Sequence, residues 1–375
     1  MSYNFHFDPG VLQTLVGGTP SLDIQRLNIR GLDEAHHFVK AYGYDLSSEK
    51  DLDLLWRYYR RAVNYIRTHL LQEGEEIPEM LADPNQLKNL AYLLIYASTR
   101  EVKQNSVQNW ACAILRVMHV LVHLENDLFF QFSSDIQEQI LEPFRREIYK
   151  DPVTGIWLGG PSDPGRIRLE KFVVKSFKSS DSSVNKLLAK PSAVAFTILD
   201  KLGVRFVTRH LFDVFRVLRF LEQKNLVSFP HGISDESNNT IYPLDIFLEV
   251  MESFTKGREY TLDEVDQKLH EKLLQAGEGA HYLKKLNMFS SGEYRFLKFI
   301  TRRLIHVDIP GVEKSRRLNF FYPYEVQIMD YETYTQNLSG PSSHEQYKLR
   351  QKKFARRRIL GFLDSDKGSE GDSAE

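Results

Sequence analysis

A single cysteine, Cys112, stands in 375 residues. Without a second thiol the chain can close no internal disulfide and build no cysteine-rich zinc site, a usage that suits a reducing cytosol. A surplus of one charge is also missing. Lys and Arg number 49 against 50 Asp and Glu, for a formal net charge of -1, so no global field draws the chain to nucleic acid or membrane and any basic surface must be local. The start, MSYNFHFDPG, has no basic stretch followed by an apolar one, so no secretory signal is expected. Long apolar runs are scarce: AYLLIYA and the stretch around RVMHVLVHL read as too short or too interrupted to span a bilayer. These absences together predict a cytoplasmic protein with no membrane partner. No internal repeat is visible.

What is present describes an ordinary globular chain, 42% apolar and 26% charged, long enough for two domains, each with its own core. Residues 34–149 carry apolar side chains at three- and four-residue spacing, as in DLDLLWRYYRRAVNYIRTHLL and VQNWACAILRVMHVLVHLENDLFFQF, and predict helices almost throughout. DPVTGIWLGGPSDPGR, rich in Gly and Pro, marks a boundary. Beyond it β-branched segments (IRLEKFVVKSF, LGVRFVT, RLIHVDI, YEVQIM) alternate with amphipathic helices. One of these, RHLFDVFRVLRFLEQKN, places Leu211, Phe212, Phe215 and Leu218 on one face. The pattern is α+β. The expected organisation is a helical domain over 1–160, an α+β domain over 161–350 with an insertion near 240–285, and a tail over 351–375 that is basic, then acidic and partly disordered.

Three stretches carry candidate chemistry. Lys178 and Lys186 flank a serine cluster that includes Ser179 and Ser182; hydroxyls, amides and two ammonium groups together can hold a polyphosphate. The competing reading is a Ser-rich helix cap. FFYPYEVQIMD alternates so that Glu325 and Gln327 share one strand face and Val326 and Ile328 the other. In SSGEYRFLKFITRRLIHV, Tyr294 can stack on a base with Arg295 near phosphates. His119 and His123, spaced i, i+4, read either as a metal pair or as part of a packed helix. The basic run of Lys348, Arg350, Lys352, Lys353, Arg356, Arg357 and Arg358 reads as a solvated helix face or as an RNA contact.

In their order these pieces resemble the synthetase domain of RelA/SpoT-type alarmone ((p)ppGpp) synthetases, over roughly residues 170 to 350. Lys178, Ser179, Ser182 and Lys186 match K-S-x-x-S-x-x-x-K. DKLGVR supplies an aspartate, Asp200, followed by Gly203 and Arg205. Tyr294 and Arg295 match a strand-borne Tyr-Arg pair. EVQIMDYETYTQNLSGPSSHEQYK matches E-x-Q-I, a helix, a glycine and H-x-x-Y-K through Glu325, Gln327, Ile328, Gly340, His344, Tyr347 and Lys348.

The resemblance implies a mixed sheet of nucleotidyltransferase type flanked by helices, and an enzyme that moves pyrophosphate from ATP to the 3′-hydroxyl of GDP or GTP. It implies Mg²⁺ held by Asp200 and Glu325, with Glu325 near the acceptor hydroxyl. Lys178, Lys186 and Arg205 would neutralise phosphates, Tyr294 would stack on guanine, and His344 and Lys348 would line the acceptor side. Two alternatives stand beside it: the same donor chemistry on a tRNA 3′-end or an adenine nucleotide, and a silent nucleotide-binding module. Assembly as a homo-oligomer is left open.

The sequence also departs from the family. Ser176 stands where an arginine helps clamp adenine, Lys298 replaces a histidine, and Met329-Asp330 follow Gln327-Ile328 in place of Arg-Thr. None of the twelve histidines is followed by Asp, so the family's His-Asp hydrolase is not expected. Asp200 and Arg205 have opposite parity on an ideal strand, and a bulge at Gly203 is the expected remedy.

Overall fold

Seven strands form one mixed sheet in the computed structural model, which describes residues 8–99, 105–126, 128–177, 180–190, 198–255, 257–284, 293–309, 316–340 and 343–369. The strands are β1 (Ile148–Asp151), β2 (Gly155–Leu158), β3 (Ile167–Lys175), β4 (Gly203–Thr208), β5 (Gly232–Asn239), β6 (Leu297–Ile309) and β7 (Arg316–Asp330). The longer helices of the first part of the chain are α1 (Leu32–Tyr42), α2 (Glu49–Tyr65), α3 (Asn105–Glu125), α4 (Ser133–Arg146) and α5 (Ser180–Ala189). They are followed by α6 (Leu211–Gln223), α7 (Leu244–Glu252), α8 (Leu262–Ala276), α9 (Tyr331–Leu338) and α10 (His344–Ser369). The class is α+β, as the alternation of segments predicts.

The chain divides into two compact units, neither continuous in sequence. One comprises residues 1–130, 179–197 and 349–375; the other comprises 131–178 and 198–348. The first unit is helical. In α2, Leu55, Tyr58, Tyr59, Ala62 and Val63 recur at helical spacing and are buried. The Tyr59 hydroxyl donates to the Leu81 carbonyl at 2.7 Å, so this aromatic core residue leaves no polar atom stranded. Within α3 the window Ser106–Glu125 is long and apolar enough to cross a membrane by length and composition, contrary to the reading of its fragments in isolation, and 67% of it is buried inside the fold.

The basic run expected as a tail is helical. Arg356 bridges Glu75 and Asp364, each at 2.9 Å, and Arg358 meets Asp23 at 2.5 Å while donating to the Leu188 carbonyl at 3.0 Å. Two of the run's cations are therefore spent on holding α10 to this unit.

In the second unit the sheet order is β1-β2-β3-β4-β7-β6-β5, with β4 and β7 parallel and the other neighbours antiparallel. Period-2 alternation sends Val204 and Phe206 of β4, and Tyr324, Val326 and Ile328 of β7, to one face. There Phe144 of α4 packs against Phe206 and Tyr324, at 6.2 and 6.0 Å between ring centres. Gln139 of α4 and the backbone of His306 in β6 exchange two hydrogen bonds, of 2.7 and 3.0 Å, which fix the helix along the strand. Pro323 sits within β7 but before β4 joins at Glu325, so its missing N–H costs no bond to β4.

The insertion folds as α7 and α8. Thr261 and Glu264 form a capping box, and the Asp266 carboxylate accepts from the backbone amides of Leu211 and Phe212 at 3.0 and 2.7 Å, capping α6 from outside. Phe215 of α6 stacks on Phe247 of α7 at 3.7 Å. The α6 face of Phe212 and Phe215 thus receives the insertion, while Val214, Val217 and Leu221 form its fully buried side.

Gly203 forms no bulge. It pairs in unbroken parallel register with Glu325, and the register shift of the β3–β4 pair lies at the other end of β4, opposite Val207 and Thr208, between Leu169 and Lys171. A Cβ on Gly203 would approach the Glu325 carbonyl oxygen to 2.7 Å and the Glu325 Cβ to 3.0 Å. Replacing Gly203 by Ala is expected to cost about 1–3 kcal/mol through this overlap. Urea denaturation checks it, with Gly279→Ala, whose Cβ would meet nothing within 4 Å, expected within about 0.5 kcal/mol of wild type.

Candidate functional site

The sheet register arranges side chains of five strands, most of them polar, in two rows across one face. The first row runs Lys175, Gly203, Glu325, Ile300; the second runs Val173, Arg205, Gln327, Lys298, Asn238. Adjacent strands lie about 4.8 Å apart, so Lys175 and Glu325 start roughly two spacings from each other. Nothing stands between them except the hydrogen of Gly203. The ammonium of Lys175 crosses that gap, forms an ion pair with Glu325 and also donates to the Gln327 side-chain oxygen at 3.3 Å. Arg205 Nε donates to the same oxygen at 2.7 Å. Gln327 thus joins two cations that repel each other, and its Nε2 points to the Tyr294 hydroxyl at 3.5 Å.

Glu325 is buried, with its side chain 8% exposed, and Lys175 is 28% exposed. Burial pushes the Glu325 carboxyl upward and the neighbouring Asp200 does the same, but Lys175 and Lys298 outweigh both and hold it below the usual glutamate range. It is therefore ionised at neutral pH. The same balance places Asp200 and Lys298 within electrostatic reach of Glu325. Asp200 itself is half-buried in the turn before β4, not in the strand, so strand parity does not govern where it points. At the far end of the second row Asn238 is buried with its Oδ1 lacking a hydrogen-bond partner.

Asp200, Arg205, Glu325, Gln327 and Tyr294 are the expected residues that this face brings together. Arg295 departs from expectation. Tyr294 and Arg295 precede β6 rather than lying on it, and the Arg295 guanidinium donates to the carbonyls of Thr240 and Ile241 at 2.9 and 2.5 Å. It ties the root of the insertion to the Tyr294 segment, so this arginine is engaged by the fold itself. Tyr294 is half-buried with its ring tilted against Phe296 at 5.1 Å.

Ser182 and Lys186 lie on α5 of the helical unit, one turn apart and therefore on one face of that helix. Lys178 and Ser179 fall outside the described residues. His344 opens α10, its side chain outside the described set, and Lys348 is exposed on the same helix. Asp330 caps α9: its carboxylate accepts from the Thr333 amide at 2.9 Å and the Thr333 hydroxyl at 2.7 Å. His119 accepts or donates at Nδ1 to the Tyr42 hydroxyl at 2.7 Å and stacks near His123. Burial and that neighbour push it down to about 4, and no group of three metal-ligating side chains occurs among the described residues.

Two residues escaped the sequence reading. Lys175 ends β3 and belongs to none of the motifs; the parity of β3 and the side-chain-free Gly203 opposite are the features that locate it. Asn238 lies in a stretch, GISDESNN, with little strand propensity.

No protein-family model matches the sequence. No curated protein matches it. Among solved structures, the small alarmone synthetase 2 of Bacillus subtilis aligns at 16% identity and a TM-score of 0.24, covering 67% of this chain and 99% of that one. A GTP pyrophosphokinase family protein from Streptococcus pneumoniae aligns at 13% and 0.24, over 66% of this chain and 91% of that one. The small alarmone synthetase 1 of B. subtilis, bound to its product pppGpp, aligns at 13% and 0.20, over 64% of this chain and all of its own. Overlaps at these TM-scores carry no weight of their own, and the chemistry rests on the side chains above.

Because Glu325 is held ionised below its ordinary value of 4.5, the unfolded chain binds the extra proton, and wild-type stability relative to Glu325→Gln rises with pH through that window and is lost as pH falls through the folded value. Denaturation between about pH 3 and pH 7 reads this slope. At neutral pH, Lys175→Met strands the buried carboxylate and is expected to cost about 2–3 kcal/mol, most of it recovered in the Lys175→Met/Glu325→Gln double variant.

Proposed function

We propose that the protein transfers pyrophosphate from ATP to the 3′-hydroxyl of GDP or GTP, with Mg²⁺, on a nucleotidyltransferase-type sheet. The observation that carries the reading is the cationic face on which Asp200, Arg205, Glu325 and Gln327, drawn from two separate motifs, meet Lys175 and Lys298. In such a transfer the acceptor oxygen forms a bond to the β-phosphorus of ATP, the bond from that phosphorus to the α–β bridging oxygen breaks, and AMP leaves with the bonding electrons. Positioning and charge neutralisation supply most of the acceleration.

Lys175 and Arg205 neutralise charge on the passing phosphates, and Tyr294 offers an aromatic face to the acceptor base. Glu325 is ionised and can accept the hydroxyl proton, and the Lys175 and Lys298 charges that keep it ionised also weaken it as a base. Asp200 and Glu325 make a two-carboxylate donor set, which fits Mg²⁺ because that ion takes one or two carboxylates and completes its shell with water and substrate phosphates. When bound, the metal would neutralise charge on the transferring group. Ser182 and Lys186 join this reading as donor-phosphate ligands, together with Lys178 and Ser179, and His344 and Lys348 as acceptor contacts, all by motif.

An RNA acceptor is the weaker alternative. Arg356 and Arg358 are tied into buried ion pairs, and the basic run is left with Lys348, Lys352, Lys353 and Arg357 as its exposed cations.

Purified protein given ATP labelled in the β- and γ-phosphates, with GDP, GTP, ADP or tRNA in parallel, is expected to label a guanine nucleotide and release AMP. Asp200→Ala and Glu325→Ala should each lower the rate at least about a hundredfold. Label on ADP or tRNA alone would reassign the acceptor. No transfer to any of the four, with Asp200→Ala and Glu325→Ala folded and indistinguishable from wild type in nucleotide binding, would leave a silent module.

A further inference from the structure

The helical unit contains two hollows that share a wall. The first, about 250 Å³, is lined almost wholly by hydrocarbon and aromatic side chains, among them Phe38, Tyr42, Leu93, Leu94 and Val122. The second, about 870 Å³, is polar and is bordered by four arginines, Arg26, Arg116, Arg357 and Arg358, against two carboxylates, Asp8 and Asp23. Ile24, Leu27, Cys112 and Arg116 line both. Cys112 and Arg116 are one turn apart on α3, and His119 follows three residues later, so a single stripe of that helix runs from the basic hollow into the apolar one.

Charge is distributed along this stripe in one direction. At the apolar end His119 is uncharged at neutral pH and bonded to Tyr42. At the other end the Arg116 guanidinium is fixed by its bond to the Ile24 carbonyl at 2.8 Å, and Arg358, its side chain 7% exposed, keeps one nitrogen, Nη2, without a hydrogen-bond partner. Protein interiors are close-packed, and a dry apolar cavity of about 150 Å³ already admits benzene. The larger apolar hollow here opens beside a cluster of arginines with a net positive balance.

We propose that this pair of hollows is a binding site for an amphipathic anion: a medium-length acyl chain in the apolar hollow, its carboxylate or phosphate head among Arg26, Arg116, Arg357 and Arg358. The head would be held by charge-assisted hydrogen bonds and the tail by burial of hydrocarbon. The site is independent of the pyrophosphate transfer and is tested without it.

Isothermal titration of the full chain with decanoate, decanol and inorganic phosphate separates the two halves of the site. Decanoate is expected to bind saturably, one per chain, about tenfold or more tighter than decanol, since one charge-assisted bond is worth roughly that factor. Phosphate alone should bind more weakly than decanoate. Arg26→Ala and Arg357→Ala, both at exposed positions, should remove the preference for decanoate over decanol, and Leu46→Trp, at the half-buried rim of the apolar hollow, should suppress both ligands. The proposal is overturned by absence of saturable decanoate binding at millimolar concentration. It is equally overturned if decanoate and decanol bind alike, or if the folded Arg26→Ala/Arg357→Ala protein keeps the wild-type preference.

Discussion

The sheet unit is organised around one ion pair, Lys175 with Glu325, drawn across a glycine. A lysine and a glutamate two strands apart can meet only if the strand between them presents no side chain at that level, and Gly203 meets this requirement. Taking the two charges out of water carries a penalty that their attraction offsets only with further hydrogen bonds. Gln327 and Arg205 provide them, and Lys298 adds a second cation on the other side. The polar rows exist because this exchange is satisfied collectively. Removing any member leaves a buried group without its counterpart.

The acid, glycine and arginine of DKLGVR meet three different demands. Asp200 belongs to the turn and contributes charge, Gly203 makes room for a neighbour's side chain, and Arg205 reaches along its own strand face. The sequence alone made the last two legible in kind but not in cause: a glycine in a strand signals either a bulge or a close approach, and only the partner across the sheet decides between them. The shared face of Glu325 and Gln327 was readable because period 2 is local. Lys175 was not, because its meaning depends on a residue 150 positions away. Segment types followed from periodicity, whereas the discontinuous division of the chain follows from long-range packing that no local pattern encodes.

Two residues beside the candidate site serve the fold directly. Asp330 caps α9. Arg295 holds carbonyls at the root of an insertion whose helices rest on α6, so the Tyr294 segment is anchored to the insertion at one end and reaches Gln327 at the other. The placement of Tyr294 is therefore set in part by the insertion that carries α7 and α8.

The helical unit is assembled from segments made far apart in time. Its first stretch ends at residue 130, yet Ala355, Ile359 and Leu360 are buried in it and Arg356 and Arg358 close its ion pairs. During synthesis, then, the earliest helices leave the ribosome with part of their apolar surface uncovered and with Asp23 and Glu75 not yet joined to the arginines of α10, a state that lasts while the sheet is translated. The order of completion is inverted: the unit begun first is finished last, and a nascent chain stopped just before α10 would have all seven strands of the sheet translated while the helical core is still unsealed.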